Sequence, residues 1–408
     1  MSNVVLLGLV SLFTDISAEM VYPILPLYLS SVMGAGPAII GIIEGIAESL
    51  ASIVKLFSGI IADKYGNKKR LAIAGYASST VNKIIILFST TWTGVLLARV
   101  VDRFGKGIRT APRDALIAES VGNAESAGNA ESVGNAESAG SRMGKAYGLH
   151  KGLDLLGTAI GILLAWLILA GFIFSGGEDR YKTIFIFSLV PAVIGLVILF
   201  FVKDNKKERI GKAPAFNWKN LDKKLQLFLI CIFLFTLGNS SNAFIILRAV
   251  DAGFSKTNVI LLYFLYNITG SLLAYPAGML SDKIGRKNLL CAGYFLYGVV
   301  YLGIALIAHN GAFIALFVIY GFYTALTAGV ERALIVDIAP PQHKAGALGL
   351  HAAIVGIGLL PASIIAGLLW KWLGPSAPFL FGGTLAFITS VAVLVILKNK
   401  KTSTNDTN

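Results

Sequence analysis

Long apolar runs fill the chain, separated by short polar or charged stretches. A membrane-spanning helix needs about 20 apolar residues, because each residue rises roughly 1.5 Å against a hydrocarbon core about 30 Å thick. Twelve runs approach or exceed that length: residues 4–31, 38–62, 71–90, 93–113, 146–172, 183–202, 225–248, 258–281, 289–308, 312–335, 346–370 and 377–397. Pro23, Pro26, Pro276 and Pro361 fall inside them, which membrane helices tolerate better than soluble ones. The pattern predicts an all-α membrane protein with twelve transmembrane helices. The first run follows Met-Ser-Asn-Val without a basic segment and carries Asp15 and Glu19. It therefore reads as a retained span and not a cleaved signal peptide.

Composition agrees with this. The chain is 55% hydrophobic and 14% charged, and a soluble domain of 408 residues would need more charge for its surface. A net charge of +13 could point to nucleic acid, but the basic residues cluster between apolar runs, as topology-setting charge does. Loop 63–70 holds Lys64, Lys68, Lys69 and Arg70, loop 282–287 holds Lys283, Arg286 and Lys287, and 203–224 holds eight Lys/Arg against three acidic residues. With twelve spans these loops and the tail from Lys398 fall on one side. The opposite loops at 33–37 and 89–93 carry no charge. This places the chain in the cytoplasmic (inner) membrane with both termini cytoplasmic and the lipid bilayer, not nucleic acid, as its partner. Cys231 and Cys291 both lie in apolar runs and make neither a disulfide framework nor a metal spacing. No metal or cofactor is expected.

The chain repeats itself. Gly59-Ile-Ile-Ala-Asp63-Lys-Tyr-Gly66 recurs as Gly278-Met-Leu-Ser-Asp282-Lys-Ile-Gly285 at an offset of 219, Ala115-Leu-Ile as Ala333-Leu-Ile at 218, and Gly148-Leu-His150 as Gly349-Leu-His351 at 201. Matches in the same order predict two six-helix bundles, 1–202 and 225–397, joined by a basic cytoplasmic linker at 203–224 and followed by a tail at 398–408. The shrinking offset means that the first half has gained residues before Gly148. They are visible as a hexad repeat, Glu-Ser-Val-Gly-Asn-Ala and its variants, over 119–140. Such small polar residues have little to bury, and the segment reads as an expanded cytoplasmic loop.

Gly59-x-x-x-Asp63-x-x-Gly66-x-Lys68-Lys69 and its copy Gly278-x-x-x-Asp282-x-x-Gly285-Arg286-Lys287 resemble the loop 2–3 signature of the major facilitator superfamily. The first copy has Asn67 where that pattern has Arg. The resemblance covers nearly the whole chain. It implies the two-bundle fold and places this loop in a cytoplasmic conformational gate. Physically, the glycines permit close helix approach, and the charges can form ion pairs that hold one of two conformations. Gate partners would come from Arg109, Arg113, Asp114, Glu119, Glu331 and Asp337. Topology-setting charge alone is the plainer alternative. The stretches Asp102-Arg-Phe-Gly-Lys-Gly-Ile-Arg109-Thr-Ala-Pro-Arg113-Asp114 and Gly148-Leu-His-Lys-Gly-Leu-Asp154 are similar to an efflux-type branch in bacteria and archaea. The fifth-helix antiporter signature is kept at Gly157 and Gly161 but has Ile162 in place of proline.

Ionisable residues inside spans are expensive and usually face a bundle interior or a water-filled cavity. The first half is rich in them: Asp15 and Glu19 at i, i+4, Glu44 and Glu48 at i, i+4, Asp102 with Arg103, Lys106, Arg109 and Arg113, and Lys151 with Asp154. The second half offers mainly Glu331, Arg332 and Asp337, with Arg248 and Asp251. This asymmetry assigns ion coupling to the first half and cavity shape to the second. Burial disfavours a charged carboxylate, which lets such a group bind and release protons near neutral pH. The alternative is structural pairing of Asp102 or Asp154 with Arg103 or Lys151. His150 and His351 occupy equivalent repeat positions, for which a shared packing or hydrogen-bonding role is expected. Tyr22, Tyr263, Tyr266, Phe295, Tyr297, Tyr320 and Tyr323 either line a cavity or pack between helices. No phosphate-cradling Gly-x-x-x-x-Gly-Lys-Ser/Thr, His-Glu-x-x-His or Gly-x-Ser-x-Gly pattern occurs, which argues against an ATP-driven pump and an enzyme. The reading is a monomeric secondary transporter that couples protons to a small amphipathic solute by alternating access, with export favoured and nutrient or metal-chelate uptake as the alternative. Its mostly acidic deep charges favour a cationic or neutral solute.

Overall fold

A computed structural model describes residues 3–65, 68–127, 136–173, 179–203, 221–307, 310–340 and 344–397. Among them the regular elements are all helices: α1 Asn3–Val21, α2 Leu25–Ser31, α3 Pro37–Tyr65, α4 Lys68–Phe88, α5 Trp92–Ala127, α6 Ala136–Ala170 and α7 Arg180–Phe200, then α8 Lys223–Gly238, α9 Asn242–Asp251, α10 Lys256–Ile284, α11 Arg286–Leu306, α12 Asn310–Thr327, α13 Val330–Ile338, α14 Lys344–Leu373 and α15 Ala377–Ile396. Eleven of the spans they form are long and apolar enough to cross a membrane. The twelfth long helix, α5, fails that criterion because it carries Arg99, Asp102, Arg103, Lys106, Arg109, Arg113 and Asp114. It nevertheless packs along α3 and α4, so its charges are an inner lining.

Three expected spans are broken. The first divides at Tyr22–Ile24 into α1 and α2, where Pro23 supplies no N–H to continue the ladder. The seventh divides at Asn239–Ser241 into α8 and α9, and the Ser241 side chain accepts from the Ala243 N–H at 3.3 Å to start the second piece. The tenth divides at Ala328–Gly329 into α12 and α13. Irregular backbone at membrane depth survives only inside protein or beside a water-filled cavity, so the breaks mark where the interior is polar. The repetitive segment departs from expectation too. Helix α5 continues to Ala127 and α6 begins at Ala136, because Ala and Glu favour helix and each hexad holds one glycine. Residues 128–135, the linker at 204–220 and the tail at 398–408 lie outside the described residues.

Helices α1–α7 pack mainly among themselves, as do α8–α15. The two groups meet along α3 and α14, which run antiparallel with almost no side-chain spacer. A Cβ on Gly41 would lie 2.3 Å from the Ser363 carbonyl oxygen, one on Gly45 2.9 Å from that of Leu360, and one on Gly367 2.7 Å from that of Pro37. Glycine is required there because the backbones themselves touch. Helix α2 also packs on α9. Helix α6 packs on α10 as well. The α3–α14 glycine contacts and the α2–α9 contact lie away from the basic loops. Near the basic side these two helices present open faces: Cβ atoms at Gly148 and Gly152 of α6 and at Gly278 of α10 would meet no described atom within 4 Å. The halves are therefore closed by backbone contact at one end, with open faces of α6 and α10 at the other.

Candidate functional site

A cavity of about 420 Å³ lies between the two halves. From α1 come Asp15, Glu19 and, at its break, Tyr22. Helix α3 adds Glu48, and α4 adds Asn82 and Lys83. Helix α5 supplies Arg99, Asp102, Arg103, Lys106 and Arg109, at the i, i+3, i+4, i+7, i+10 spacing that puts side chains on one helical face. The second half adds the broken stretch Asn239–Asn242 together with Tyr263, Tyr266, Asn267, Tyr320, Tyr323 and Thr324, and no charged side chain.

The charged wall is a network. Arg99 donates to both Glu44 carboxylate oxygens, at 2.8 and 2.7 Å, and lies 3.8 Å from Glu48. Arg103 reaches Glu48 at 2.8 Å and Asp102 at 4.0 Å. Both guanidinium groups sit over the Tyr22 ring, 5.3 and 5.5 Å from its centre, a favourable cation–π arrangement. Glu44 is 2% exposed and also accepts from the Ser241 hydroxyl at 3.1 Å, so one carboxylate joins a first-half arginine to the break in the second half. The Lys83 side chain is as deeply buried as Glu44, with its ammonium donating to the Ser79 carbonyl at 2.8 Å. Several buried polar atoms of the lining, including Glu19 Oε2, Asn82 Oδ1, Arg103 Nε and Ser240 Oγ, have no hydrogen-bond partner among the described residues. Polar groups placed this way can receive a solute or water.

The opposite wall is aromatic. Tyr266 and Tyr320 lie 4.8 Å apart between ring centres, Tyr320 and Tyr323 stack at 5.4 Å, and Tyr263 meets Tyr22 across the halves at 6.1 Å. Their hydroxyls are tied to the break: Tyr320 donates to Asn242 Oδ1 at 3.0 Å, and Asn239 donates to the Tyr323 hydroxyl at 3.3 Å. Tyr297 is fully buried behind them, donating to the Gly238 carbonyl at 3.0 Å. Phe295 is 55% exposed, outside the cavity.

Several sequence expectations are corrected. The deep charges are not mostly acidic: the lining holds four acids, Asp15, Glu19, Glu48 and Asp102, against five bases, Lys83, Arg99, Arg103, Lys106 and Arg109. Arg109 lies in the cavity lining and not with the signature loops in this conformer. It donates to the Ser79 hydroxyl at 2.8 Å, with its guanidinium 4.3 Å from the Tyr76 ring centre. Arg113 pairs with its neighbour Asp114 at 2.9 Å. Glu331 turns inward to accept from Tyr294 at 2.6 Å and to meet His351 at 2.5 Å. His150 has no matching contact, and its buried Nε2 is unpartnered. The two histidines therefore share a repeat position without sharing a role. Arg99 and Lys83 escaped the sequence reading. Both were detectable, Lys83 as a lone lysine within an apolar run and Arg99 as one more turn of the α5 stripe.

On the basic side the repeated signature forms matching ion pairs. Lys68 pairs with Glu119 between α4 and α5, and Arg286 pairs with Asp337 at 2.6 Å between α11 and α13. Both partners are related by the same offset of 218 residues, so Lys68 fills the place that Asn67 does not. Arg286 also reaches Asp282 at 3.4 Å. Lys69 donates to the Phe200 carbonyl at 2.7 Å, and Lys287 to that of Leu397 at 3.4 Å. Gly285 has a φ of +91° at the turn into α11, which explains that glycine. Gly66 lies outside the described residues, and Gly59 and Asp63 fall on the last turns of α3, where side chains are not described. Among the described residues no cluster of His, Cys, Asp and Glu could hold a metal ion.

Comparison with known proteins points one way. The sequence pattern of the Major Facilitator Superfamily matches residues 7–247 and 227–408. An uncharacterized MFS-type transporter of Methanocaldococcus jannaschii is 37% identical over 97% of this chain and 94% of its own. The quinolone resistance protein NorA of Staphylococcus aureus is 28% identical over 155 residues, 38% of this chain and 39% of NorA. Among solved structures, the nucleoside transporter NupG superposes with a TM-score of 0.77 at 14% identity, covering 98% of this chain and all of that one. A POT family transporter in complex with 5-aminolevulinic acid superposes at 0.76 and 13% identity, covering 97% of this chain and 96% of that one.

Proposed function

The chain belongs to the major facilitator superfamily of membrane transporters, and from that premise we propose that it is a proton-coupled secondary transporter working by alternating access as a monomer. The basic ends of the helices face the cytoplasm in this reading, both termini included, and the protein sits in the cytoplasmic membrane. The conformer described here is then inward-facing. One observation carries the proposal: a charge-lined cavity at the junction of the two halves, sealed at one end by backbone contact, with open faces of α6 and α10 at the other. Rocking the halves would move that opening to the opposite side. The carboxyl groups of Asp15, Glu19, Glu48 and Asp102 give protons somewhere to bind next to the solute.

The solute is small and amphipathic. Its polar end would meet the charged first-half wall, and its flat or apolar part the tyrosines of α10 and α12. Acids and bases nearly balance in the lining, and Glu44 offsets Arg99, so the cavity favours a neutral or zwitterionic solute over a strongly charged one. Partial likeness to the quinolone resistance protein supports export. The test is proton flux in proteoliposomes holding purified protein and a trapped pH dye, screened with cationic, neutral, zwitterionic and chelate compounds. Solute-dependent proton movement that is lost in Asp15→Asn or Glu48→Gln is the expected result. Solute movement with no proton movement, unchanged in both variants, would refute coupling. Net inward solute flux driven by an imposed proton gradient would refute export.

A further inference from the structure

We propose that the corner of the central cavity where Lys83 and Arg109 meet at Ser79 is the seat of a carboxylate on the transported solute. The proposal rests on the transporter reading above and names the anionic end of its zwitterionic solute. Ser79 stands near the middle of the 21-residue α4, so the corner is as far from bulk water as a span allows.

Helix packing brings the two cations together. Gly75, Ser79 and Lys83 recur every fourth residue on α4, and Gly105 and Arg109 stand four apart on α5, so each set lies along one helical face. The two faces meet through their glycines. A Cβ on Gly75 would lie 2.5 Å from the Gly105 carbonyl oxygen and 2.6 Å from Arg109 Cβ, and one on Gly105 would lie 2.6 Å from the Gly75 carbonyl oxygen. One turn further along, Arg109 Nη1 donates to the Ser79 hydroxyl at 2.8 Å, and Lys83 Nζ donates to the Ser79 carbonyl at 2.8 Å. Asn82 donates to that same carbonyl at 3.3 Å. Two cations are thus anchored on the two oxygens of one residue. Both line the cavity, with Lys83 2% and Arg109 7% exposed.

Their charge is not cancelled. The other arginines of the wall, Arg99 and Arg103, hold Glu44, Glu48 and Asp102. Among the described residues no carboxylate oxygen lies within 4.0 Å of Lys83 Nζ or of the Arg109 guanidinium. Like charges fixed near each other in a poorly hydrated interior repel, and each is costly to take out of water. An entering anion relieves both costs. Donors remain for it: each bond just named uses one, whereas an ammonium has three and a guanidinium five. Asn82 Oδ1, buried beside the cations, has no partner among the described residues and suits an amino or hydroxyl group next to the carboxylate. A doubly charged phosphate fits less well, because its second charge would face Glu48 and Asp102 of the same wall.

Thermal unfolding of the full chain in detergent reads the seat with benzoate, a flat monocarboxylate, against benzamide, its neutral counterpart, at constant ionic strength. Benzoate should raise the midpoint saturably, by about 1–3 °C once well above its dissociation constant, and benzamide should not. Lys83→Met and Arg109→Gln should each remove the benzoate effect, and either alone decides the matter if the other does not fold. Lys371→Gln, which removes an exposed cation in the last turn of α14, should keep it. No benzoate effect in the parent, an equal effect of benzamide, or an effect that survives in Lys83→Met or Arg109→Gln would overturn the seat. So would a solute that drives proton flux equally well with its carboxylate capped as a methyl ester. If benzoate behaves as stated and no solute moves protons, the coupled reading fails and the seat stands. If protons flow and benzoate has no effect, the seat fails and coupling stands.

Discussion

If the glycine seam between α3 and α14 is what seals the outer side, one added methyl should open it. In Gly41→Ala the new Cβ would stand 2.3 Å from the Ser363 carbonyl oxygen and 3.2 Å from the Phe244 ring, where ordinary contact begins at 3.4 Å. The nearest atom is backbone in the middle of a helix, so no rotamer change relieves the clash. Overpacking of this kind costs about 1–3 kcal/mol. Because the contact exists only while the outer side is closed, the cost falls on that conformer and leaves the open one untouched. A bias of this size shifts the closed-to-open ratio by about 5- to 150-fold.

A cysteine at Leu247 reports the shift. Leu247 is 8% exposed and lies at the outer seam with Ile40 and Trp370. The native cysteines, Cys231 and Cys291, are free and buried, and Cys231→Ala and Cys291→Ala clear the background. A membrane-impermeant maleimide applied from outside should label Leu247→Cys slowly in the parent and at least several-fold faster with Gly41→Ala. Gly75→Ala is the control. Its Cβ would meet the Gly105 carbonyl oxygen at 2.5 Å, an equal insult lying wholly inside the first half. Unchanged labelling with Gly41→Ala, or an equal rise with Gly75→Ala, would refute the seam as the seal.

Two further predictions concern charge. Lys83→Met removes a buried ammonium that donates to a carbonyl of its own helix. Since an ion taken out of water is costly and a hydrophobic isostere is often neutral or stabilising, thermal unfolding in detergent should keep or raise its midpoint while solute-driven flux falls. A midpoint several degrees lower would make Lys83 a structural residue. Lys68→Met and Arg286→Met break the two repeat-related ion pairs, and because such partly exposed pairs are worth about 0–1 kcal/mol, both should unfold within a few degrees of the parent. A large loss in one alone would end their equivalence.

Much of the architecture was legible because lipid imposes a simple rule: spans must be long, apolar and helical. The α5 helix shows the rule's limit. By apolarity it is the poorest span, and the internal repeat, which matches Ala115-Leu-Ile to Ala333-Leu-Ile, supports it. The site was legible as a set of residue types. Asp15, Glu19, Glu48, Asp102 and Arg103 do line one cavity. Their pairing was not legible, because a helical stripe gives the face and not the neighbour across it. That is why Arg109, grouped with the gate from its nearness to Arg113, turns to Ser79 and Tyr76. Asn239–Asn242 gave no warning either: four polar residues in an apolar run read as an imperfect span, while in three dimensions they are the break that lines the cavity.

The repeat explains why charge and aromatic surface ended up on opposite walls. At an offset of 218 residues, the ion pair Lys68–Glu119 corresponds to Arg286–Asp337, and the break at Tyr22–Ile24 falls one residue from the position matching Asn239–Ser241. These shared features are what a rocking pair needs: a fixed helix pair at the basic end of each half, and irregular backbone from each half at the central cavity. The divergence lies between them. Arg113-Asp114 in the first half stands where Glu331-Arg332 stands in the second. In the second half Glu331 satisfies His351 and Tyr294, which consumes its carboxylate inside that bundle. In the first half the arginine is taken by its neighbour Asp114, His150 has no partner at Nε2 among the described residues, and Asp154 is held by Ser11 and Lys151. One half has thus closed its polar groups on each other while the other keeps carboxyl groups open to the cavity. Two halves with the same frame and unequal chemistry can move together while the charged lining of the cavity comes from only one of them.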